Sequence, residues 1–408
     1  MTVPEGTGGP AEATGAVAQL TPVQGAVRSA DGLPAPHGGR LLPCGLDDAG
    51  ELARTAELRQ VPVAGRVLDD LDLLASGAMS PLRGFMDEAA YRASVERMRL
   101  PDGLLWPLPV TLPVSDQEAA ACRPGTDVAL VGADGSLAIL TVDDRFRRDL
   151  AWEARMVYGT EDTRHPGVAA LLAEPAICLG GPVRIVRRRA DRDPRALDPA
   201  ETRAAFAARG WRTVAAFQSR NPAHRAHEYL QKCALEICDG LLLHPLVGRT
   251  KHDDIAADVR LRSYEALIAG YYPPERVLLA AFPAPMRYAG PREAVFHAIC
   301  RKNYGCSHLI VGRDHAGVGD FYGPFDAQRL VADLAPELGI APLAFEHAFY
   351  CRRCGGMATR KTCPHGPEDH VVLSGTAVRA LLRRGELPPP EYTRPEVARI
   401  LAESVDPA

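Results

Sequence analysis

The feature that most constrains the fold of this 408-residue chain is an alternation of short apolar strands and helices that begins near Asp198. Strands that alternate with helices imply βαβ units and a parallel, doubly wound sheet, so the fold class predicted for this region is α/β. Such a sheet binds ligands beyond the carboxyl ends of its strands. The predicted strands are Thr213–Phe217, Gly240–Pro245, Arg276–Ala281 and Ser307–Val311, and the predicted helices are Pro199–Ala208, Ala256–Ala269, Arg292–Asn303 and one that starts at about Ala223.

The segments on either side of this region have different patterns. Residues 1–37 contain almost no large apolar residues, and such a segment cannot offset its ordering entropy, which predicts a disordered lead-in. From Leu41 to Leu197, short β-like runs such as Trp106–Val114 are punctuated by prolines, which favours an α+β or barrel-like domain. The predicted divisions are 1–37, 38–200, 201–345 and a small C-terminal domain, 346–408.

The charge balance excludes some classes of protein. A formal net charge of −4 argues against a protein whose main partner is the nucleic-acid backbone. No apolar run approaches the roughly 20 residues of a membrane span, and no secretory signal is visible, so we expect a cytoplasmic protein with no membrane partner. The arginine-rich run Arg184–Arg192 is interrupted by Asp191, which favours a solvated face over a phosphate-binding patch.

The first chemical motif is QSRNPAHRAH, which begins where a predicted strand ends and runs into a helix. His224 and His227 are three residues apart and share one face of the first helical turn. The unpaired N–H groups and the positive dipole end of that turn favour phosphate oxygens. A zinc-protease motif is excluded, because Gln231 stands where a second histidine is needed. The motif favours a nucleotide site, with a helix that begins with surface histidines as the alternative.

The second motif, GRDHAG, comes directly after the predicted strand that ends at Val311. Glycines at the carboxyl end of a strand allow the backbone to approach a ligand closely. Arg313 and His315 add donors and charge at the same place. Two basic loops at strand ends of one α/β domain are a stronger indication of an anion site than either loop alone.

The third motif is a cluster of cysteines near the C-terminus. Cys351, Cys354 and Cys363, with a histidine, have the residue types and spacing of a closed structural zinc site. Either His365 or His370 can supply the fourth ligand. A redox CxxC pair is the competing hypothesis, but it leaves Cys363 unexplained. The other cysteines are interpreted as small buried thiols.

Both strand-end loops resemble the signature loops of ATP sulfurylases, and the resemblance covers about residues 40 to 400. The other similar segments occur in family order: LLASGAMSPLRGFM, WPLPVTLPV, YGTEDTRHPGV, HPLVGRTK, PMRYAGPREAVFHAICRKNYG, FYGPFDAQ and LSGTAVRALL. The resemblance implies a Rossmann-like nucleotidyltransferase domain preceded by a PUA-like domain. It also implies the reaction of ATP with sulfate to give adenosine 5′-phosphosulfate and pyrophosphate, the entry step of sulfate assimilation.

The resemblance further implies a role for each site residue. The catalytic residues are expected to be Ser219, Arg220, Asn221, His224 and His227. Sulfate is expected to contact Arg220 and the backbone N–H of Ala316. Serine replaces the threonine that the family usually has at position 219, which keeps the hydroxyl and predicts tuning of activity. The residues expected to bind ATP are Gln218, Ser219, Arg220, Asn221, Gly312, Arg313, Asp314, His315 and Ala348.

The expected cofactors are Mg²⁺, bound with ATP, and a structural Zn²⁺, and the family implies a homo-oligomer. No GxxxxGK[ST] phosphate loop occurs in the sequence, so no fused adenylylsulfate kinase is expected. Two alternatives remain. One is an adenylyltransferase of the same fold that acts on a different acceptor, and the other is a zinc-containing protein that only senses nucleotide.

Overall fold

The computed structural model describes residues 27–45, 49–135, 137–248 and 255–404. The N-terminal part is a mixed sheet in which β7 pairs with β2, β3, β5 and β6, and β5 continues through β4 to β1. Its strands are β1 Arg59–Val63, β2 Gly84–Phe85, β3 Leu112–Val114, β4 Asp127–Gly132, β5 Leu137–Thr141, β6 Asp144–Arg147 and β7 Ile177–Arg187. Its helices are α1 Ala49–Thr55, α2 Arg66–Ser76, α3 Glu88–Arg97, α4 Asp116–Ala121, α5 Leu150–Tyr158 and α6 Pro166–Leu172.

The predicted strand Trp106–Val114 is mostly wrong. Only Leu112–Val114 pairs, with the start of β7. Pro107 and Pro109 carry no N–H to donate to a neighbouring strand, so the run that contains them crosses the core as extended chain outside the sheet.

The second region is a parallel sheet, which confirms the predicted doubly wound α/β domain. Within the described residues the strand order is β10-β9-β8-β11-β12, and every pairing is parallel. The strands are β8 Val214–Phe217, β9 Gly240–Leu243, β10 Val277–Leu279, β11 His308–Val311 and β12 Ala341–Ala344. The helices are α7 Pro199–Ala208, α8 Arg225–Leu235, α9 Ala257–Tyr271, α10 Gly290–Asn303 and α11 Asp326–Leu338, with a short 3-10 turn at Pro274–Arg276.

Burial on both faces explains why these strands are almost wholly apolar. Each residue of β8, β9 and β11 is buried, as expected when helices cover both sides of a parallel sheet. Gly240 begins β9 where a side chain is not tolerated, because a Cβ there would collide with the Trp211 ring.

The C-terminal part consists of a small antiparallel sheet and two helices. Its strands are β13 Phe349–Cys351, β14 Gly356–Ala358 and β15 His370–Val371, its helices are α12 Gly375–Arg383 and α13 Pro395–Glu403, and a 3-10 turn spans Pro367–Asp369. Val397 and Leu401 of α13 share a core with Tyr264 and Leu267 of α9, so the C-terminal helices pack directly on the parallel sheet domain.

The disordered lead-in was predicted for residues 1–37. Residues 1–26 lie outside the described part of the chain, and for residues 27–37 the prediction is wrong. Leu33 is fully buried, and the His37 backbone N–H donates to Asn303 Oδ1 at 2.8 Å. The His37 ring is also buried and hydrogen-bonds Leu105 O through Nε2 at 2.7 Å. The composition of the segment gave no sign that its last residues are held by partners far along the chain.

Burial of His37 predicts a loss of stability in mild acid. Desolvation lowers the pKa of His37 to about 4, from 6.5. As the pH falls from 6.5 to 4, the unfolded chain therefore binds a proton that the folded protein excludes. We expect His37 to contribute up to about 3 kcal/mol to this loss. The free energy of unfolding, measured by chemical denaturation at several pH values in that range, should show this loss. Because His37→Gln should take up about one proton fewer on unfolding, its free energy of unfolding should fall less steeply with decreasing pH; the same slope in wild type and variant would contradict the prediction.

The arginine-rich run is less solvated than predicted. Arg188 pairs with Asp72 and Asp198, and Arg189 pairs with Asp69 and Asp191, with each guanidinium about a quarter exposed. These arginines are already neutralised by acids of the same part of the chain, so they do not form a phosphate-binding patch. None of the helices in the described part of the chain has both the length and the apolar character needed to span a bilayer.

Candidate active site at the switch point of the parallel sheet

The strand order places a crevice between β8 and β11. Connections leave these two central strands toward opposite edges of the sheet, and ligands of doubly wound folds bind where the order reverses. Both predicted motifs follow these strands: QSRNPAHRAH follows β8, and GRDHAG follows β11. The structure therefore brings together the two loops that are about ninety residues apart in sequence.

The loop after β8 is fixed by its own side chains before the helix begins. Ser219 Oγ accepts the backbone N–H of Asn221 at 2.9 Å, which closes a tight turn. Ala223 N–H donates to Ser263 Oγ of α9 at 3.2 Å. Helix α8 begins at Arg225, two residues later than predicted, because His224 is its N-cap.

His224 and His227 form a stacked pair at the start of α8. Their ring centroids are 3.5 Å apart, and Tyr392 stacks on the other side of His224 at 5.3 Å. His224 Nδ1 accepts the backbone N–H of His227 at 3.4 Å, which assigns the proton of the neutral His224 ring to Nε2. The pair therefore offers imidazole N–H groups at a helix N-terminus, an arrangement suited to phosphate oxygens.

The loop after β11 is strained in a way that a ligand site explains. Asp314 and Ala316 have φ values of 54° and 58°, in the left-handed region that residues other than glycine rarely adopt. A Cβ at Gly317 would collide with the Asp314 carboxylate, so a larger residue there would displace that side chain. Asp314 N–H donates to Pro324 O at 2.8 Å, and Ala316 O accepts Gly290 N–H at 3.1 Å.

The two loops enclose a cavity of about 350 Å³. All of the predicted ATP and sulfate residues lie on its wall: Gln218, Ser219, Arg220, Asn221, His224, His227, Gly312, Arg313, Asp314, His315, Ala316 and Ala348. Arg220 stacks over the Tyr288 ring at 5.5 Å, and its buried Nη1 has no hydrogen-bond partner among the described residues. A guanidinium held in this way is available to an anion.

The histidines of the cavity are neutral near pH 7. Desolvation, with a smaller effect of nearby His347, lowers the pKa of His224 to about 4. Desolvation likewise places the pKa of His227 well below 6.5 and lowers that of His315 to about 4. In the described part of the wall, the positive charge thus comes from Arg220 and Arg313, while the imidazoles serve as uncharged donors.

Several residues of the cavity wall were missed from the sequence. Met286, Glu346 and His347 line the cavity but were given no role. His347 directly precedes Ala348, so its position beside a predicted adenine contact was an available signal. Met286 comes from the loop after β10, and no sequence pattern indicated that this loop folds over the crevice.

The cysteine cluster forms beside this domain with a geometry suited to a metal ion. The ligand atoms of Cys351, Cys354, Cys363 and His365 all lie within 4.8 Å of one another. His365 Nδ1 is 3.3 Å from Cys351 Sγ, 3.3 Å from Cys354 Sγ and 3.6 Å from Cys363 Sγ. His370 approaches only Cys363, at 3.9 Å, and its ring stacks on Phe349. The contacts favour His365 over His370, and the cluster can hold a metal.

Comparison with known proteins agrees with both parts of the fold. The profile of a PUA-like domain matches residues 34–188, and that of the ATP-sulfurylase family matches residues 193–404. A sulfate adenylyltransferase of Symbiobacterium thermophilum is 59% identical, over 92% of this chain and 97% of its own length. A probable bifunctional SAT/APS kinase of Sorangium cellulosum is 53% identical, over 92% of this chain and 66% of its own.

A solved structure is similar over nearly the whole chain. It is titled as a hexameric APS kinase from Thiobacillus denitrificans and superposes with a TM-score of 0.74 at 30% identity. The match covers 91% of this chain and 68% of that protein.

Proposed function

Because the chain belongs to the ATP sulfurylase family, we propose that the cavity between β8 and β11 is where sulfate attacks the α-phosphorus of ATP. The products are adenosine 5′-phosphosulfate and pyrophosphate, and the protein is a nucleotidyltransferase of sulfur metabolism. The observation that supports the assignment of the site is that Arg220, whose buried Nη1 has no partner among the described residues, lies in one cavity with two neutral histidines at the N-terminus of α8.

The chemistry requires positioning and charge stabilisation. Sulfate is fully ionised at neutral pH and needs no general base, so the barrier is the approach of one anion to another. Arg220 is proposed to hold sulfate together with the Ala316 N–H, while His224 and His227 donate to the phosphates. Ser219 and Asn221 complete the catalytic loop. Gln218, Gly312, Arg313, Asp314 and His315 are proposed to hold the nucleotide, with Ala348 against the adenine.

Mg²⁺ is proposed to arrive with ATP. The cavity wall carries only two carboxylates in its described part, Asp314 and Glu346, too few for a dedicated protein cage but sufficient beside phosphate ligands. The ion, when bound, neutralises charge on the phosphates.

The test is sulfate-dependent release of pyrophosphate from Mg-ATP by the purified protein. We expect release that requires sulfate and yields adenosine 5′-phosphosulfate in equal amount. Release that is faster with another oxyanion, such as selenate, would identify a different acceptor. ATP binding without any release would favour the nucleotide sensor.

The cysteine cluster is proposed to bind one structural Zn²⁺ through Cys351, Cys354, Cys363 and His365. The 3.7 Å between Cys354 Sγ and Cys363 Sγ approaches the about 3.8 Å expected between two sulfurs that lie about 2.3 Å from a tetrahedral zinc. The competing redox pair is disfavoured, because His365 Nδ1 lies 3.3 Å from both cysteines of the CxxC and Cys363 Sγ lies within 4.8 Å of all three groups.

We expect about one zinc per chain in the purified protein, and loss of most of it in Cys354→Ser. Since metal binding stabilises the folded state, Cys354→Ser should unfold at a lower temperature. His365→Ala should lose zinc as well, whereas the matched variant His370→Ala should keep it. A stable wild type without zinc, measured by elemental analysis, would exclude the site; retention of zinc only in His365→Ala would reverse the choice of histidine.

The remaining proposals concern assembly, location and domain limits. We propose a homo-oligomer, as in the structural neighbour that is titled hexameric, and a cytoplasmic location, where ATP is available. Light scattering of the purified protein tests the first. The proposed domain limits stay near residues 200 and 345, on either side of the parallel sheet.

A further inference from the structure

Arg301 of α10 is a fully buried cation without an acidic partner in the described part of the chain. Its guanidinium lies 3.8 Å from the centre of the Phe282 ring, and its Nε and Nη1 atoms have no hydrogen-bond partner. Burial lowers the pKa of Arg301 to about 10, which leaves it charged at neutral pH. A buried charge without a counter-charge costs several kcal/mol, so a purely structural role is a poor explanation for it.

The hydrogen bond that Arg301 does make fixes the orientation of Gln218. Arg301 Nη2 donates to Gln218 Oε1, because a guanidinium can only donate. The Gln218 amide must therefore turn its NH₂ group the other way, where it lies 3.0 Å from His297 Nδ1. Gln218 is the first residue after β8 and lies on the cavity wall.

His297 passes this constraint to the second loop. Its Nδ1 accepts from Gln218, so the proton of the neutral ring is on Nε2, which faces Glu293 Oε1 at 3.6 Å. His315 Nε2 lies 3.2 Å from the same Nδ1, so its N–H and the Gln218 amide share the single lone pair of that nitrogen. His297 is completely buried one turn before Arg301 on α10, so neither residue contacts the cavity directly.

We propose that Arg301 and His297 are positioning residues for adenylyl transfer: they lock Gln218 of the loop after β8 and His315 of the loop after β11 into one arrangement across the crevice. Anionic substrates supply the negative charge that Arg301 lacks, so the same guanidinium favours their binding through Gln218. This inference rests on the proposed function, and it adds residues of α10 that lie behind the cavity wall.

The test compares Arg301→Gln, Arg301→Lys and His297→Phe with the wild type in sulfate-dependent pyrophosphate release. Arg301→Gln and His297→Phe should each lower kcat/KM for sulfate about 10- to 100-fold, the scale of a small misplacement of site groups. Arg301→Lys keeps the charge and one donor and should recover most of the activity. Arg203→Gln is the matched control, since Arg203 is another buried arginine of the same domain, but it pairs with Asp31, outside the site.

A spectroscopic readout separates positioning from folding. In ¹⁵N-histidine spectra of the wild type we expect the proton of His297 on Nε2, and Arg301→Gln should perturb the signals of His297 and His315. The inference would be overturned if kcat/KM of Arg301→Gln or His297→Phe stayed within twofold of the wild-type value. It would also be overturned if these variants lost no more activity than Arg203→Gln. If the wild type itself released no pyrophosphate with sulfate, the proposed function would fail instead.

Discussion

Arg220→Ala is expected to abolish sulfate-dependent pyrophosphate release, with kcat/KM lowered by about 10³-fold or more. Removal of one preorganised donor from a water-excluded site lowers kcat about 10²- to 10³-fold, and Arg220 carries a full positive charge in addition to its donors. The structure provides the reason for such a large effect. Arg220 is held over Tyr288, and its buried Nη1 has no hydrogen-bond partner in the described part of the chain, which leaves this donor available to the substrates.

Arg225→Ala is the matched control for this prediction. Arg225 lies five residues further along the same segment, but it stacks over Tyr350 and donates to Pro390 O, and it does not line the cavity. Its removal should affect stability more than activity. Initial rates measured at several sulfate concentrations distinguish the two variants. Equal rates for wild type and Arg220→Ala would contradict the assignment of the sulfate site.

The second large effect is expected at His224. His224→Asn should keep helix α8, because asparagine is a good N-cap, but it removes the Nε2–H donor to the phosphates. We expect kcat to fall about 10²-fold with little change in melting temperature. His224→Ala should lose activity to a similar extent and also lose about 1 kcal/mol of stability, since the cap is lost as well.

The pH profile tests whether the His224 ring stays neutral across the working range, as its low pKa requires. The low pKa of His224 and the absence of a required base predict that His224→Asn lowers the rate by the same factor from pH 6.5 to 8. A loss of rate confined to one side of this range would mean that the ring titrates there, and would contradict its assignment as a neutral imidazole. Wild-type activity in His224→Asn would remove the histidine pair from the mechanism.

Local patterns were sufficient for the parallel sheet and for both of its loops. Strand β8 is wholly apolar and β11 is apolar after His308. A polar motif starts directly after each strand, so both the strands and their ends can be recognised in the sequence. The same reasoning failed at Trp106–Val114, where alternating residues resemble a strand but the prolines lack the N–H groups that a sheet needs. It also failed at residues 27–37, whose order depends on Asn303 and Leu105.

By itself, the sequence determined the α/β class and, through its resemblance to ATP sulfurylases over most of the chain, the family. Residue types at short spacing also predicted the donors of the anion site and the three cysteines of the cluster. Only the tertiary structure decided that the two loops meet at a switch point, that His365 is placed better than His370, and that Arg301 and His297 stand behind Gln218. Each of these depends on contacts between residues that are distant in sequence or on the direction of a single side chain. The spacing of residues along the chain does not specify where a side chain points in the folded protein. Burial, which sets the protonation of the histidines, exists only once the chain is folded.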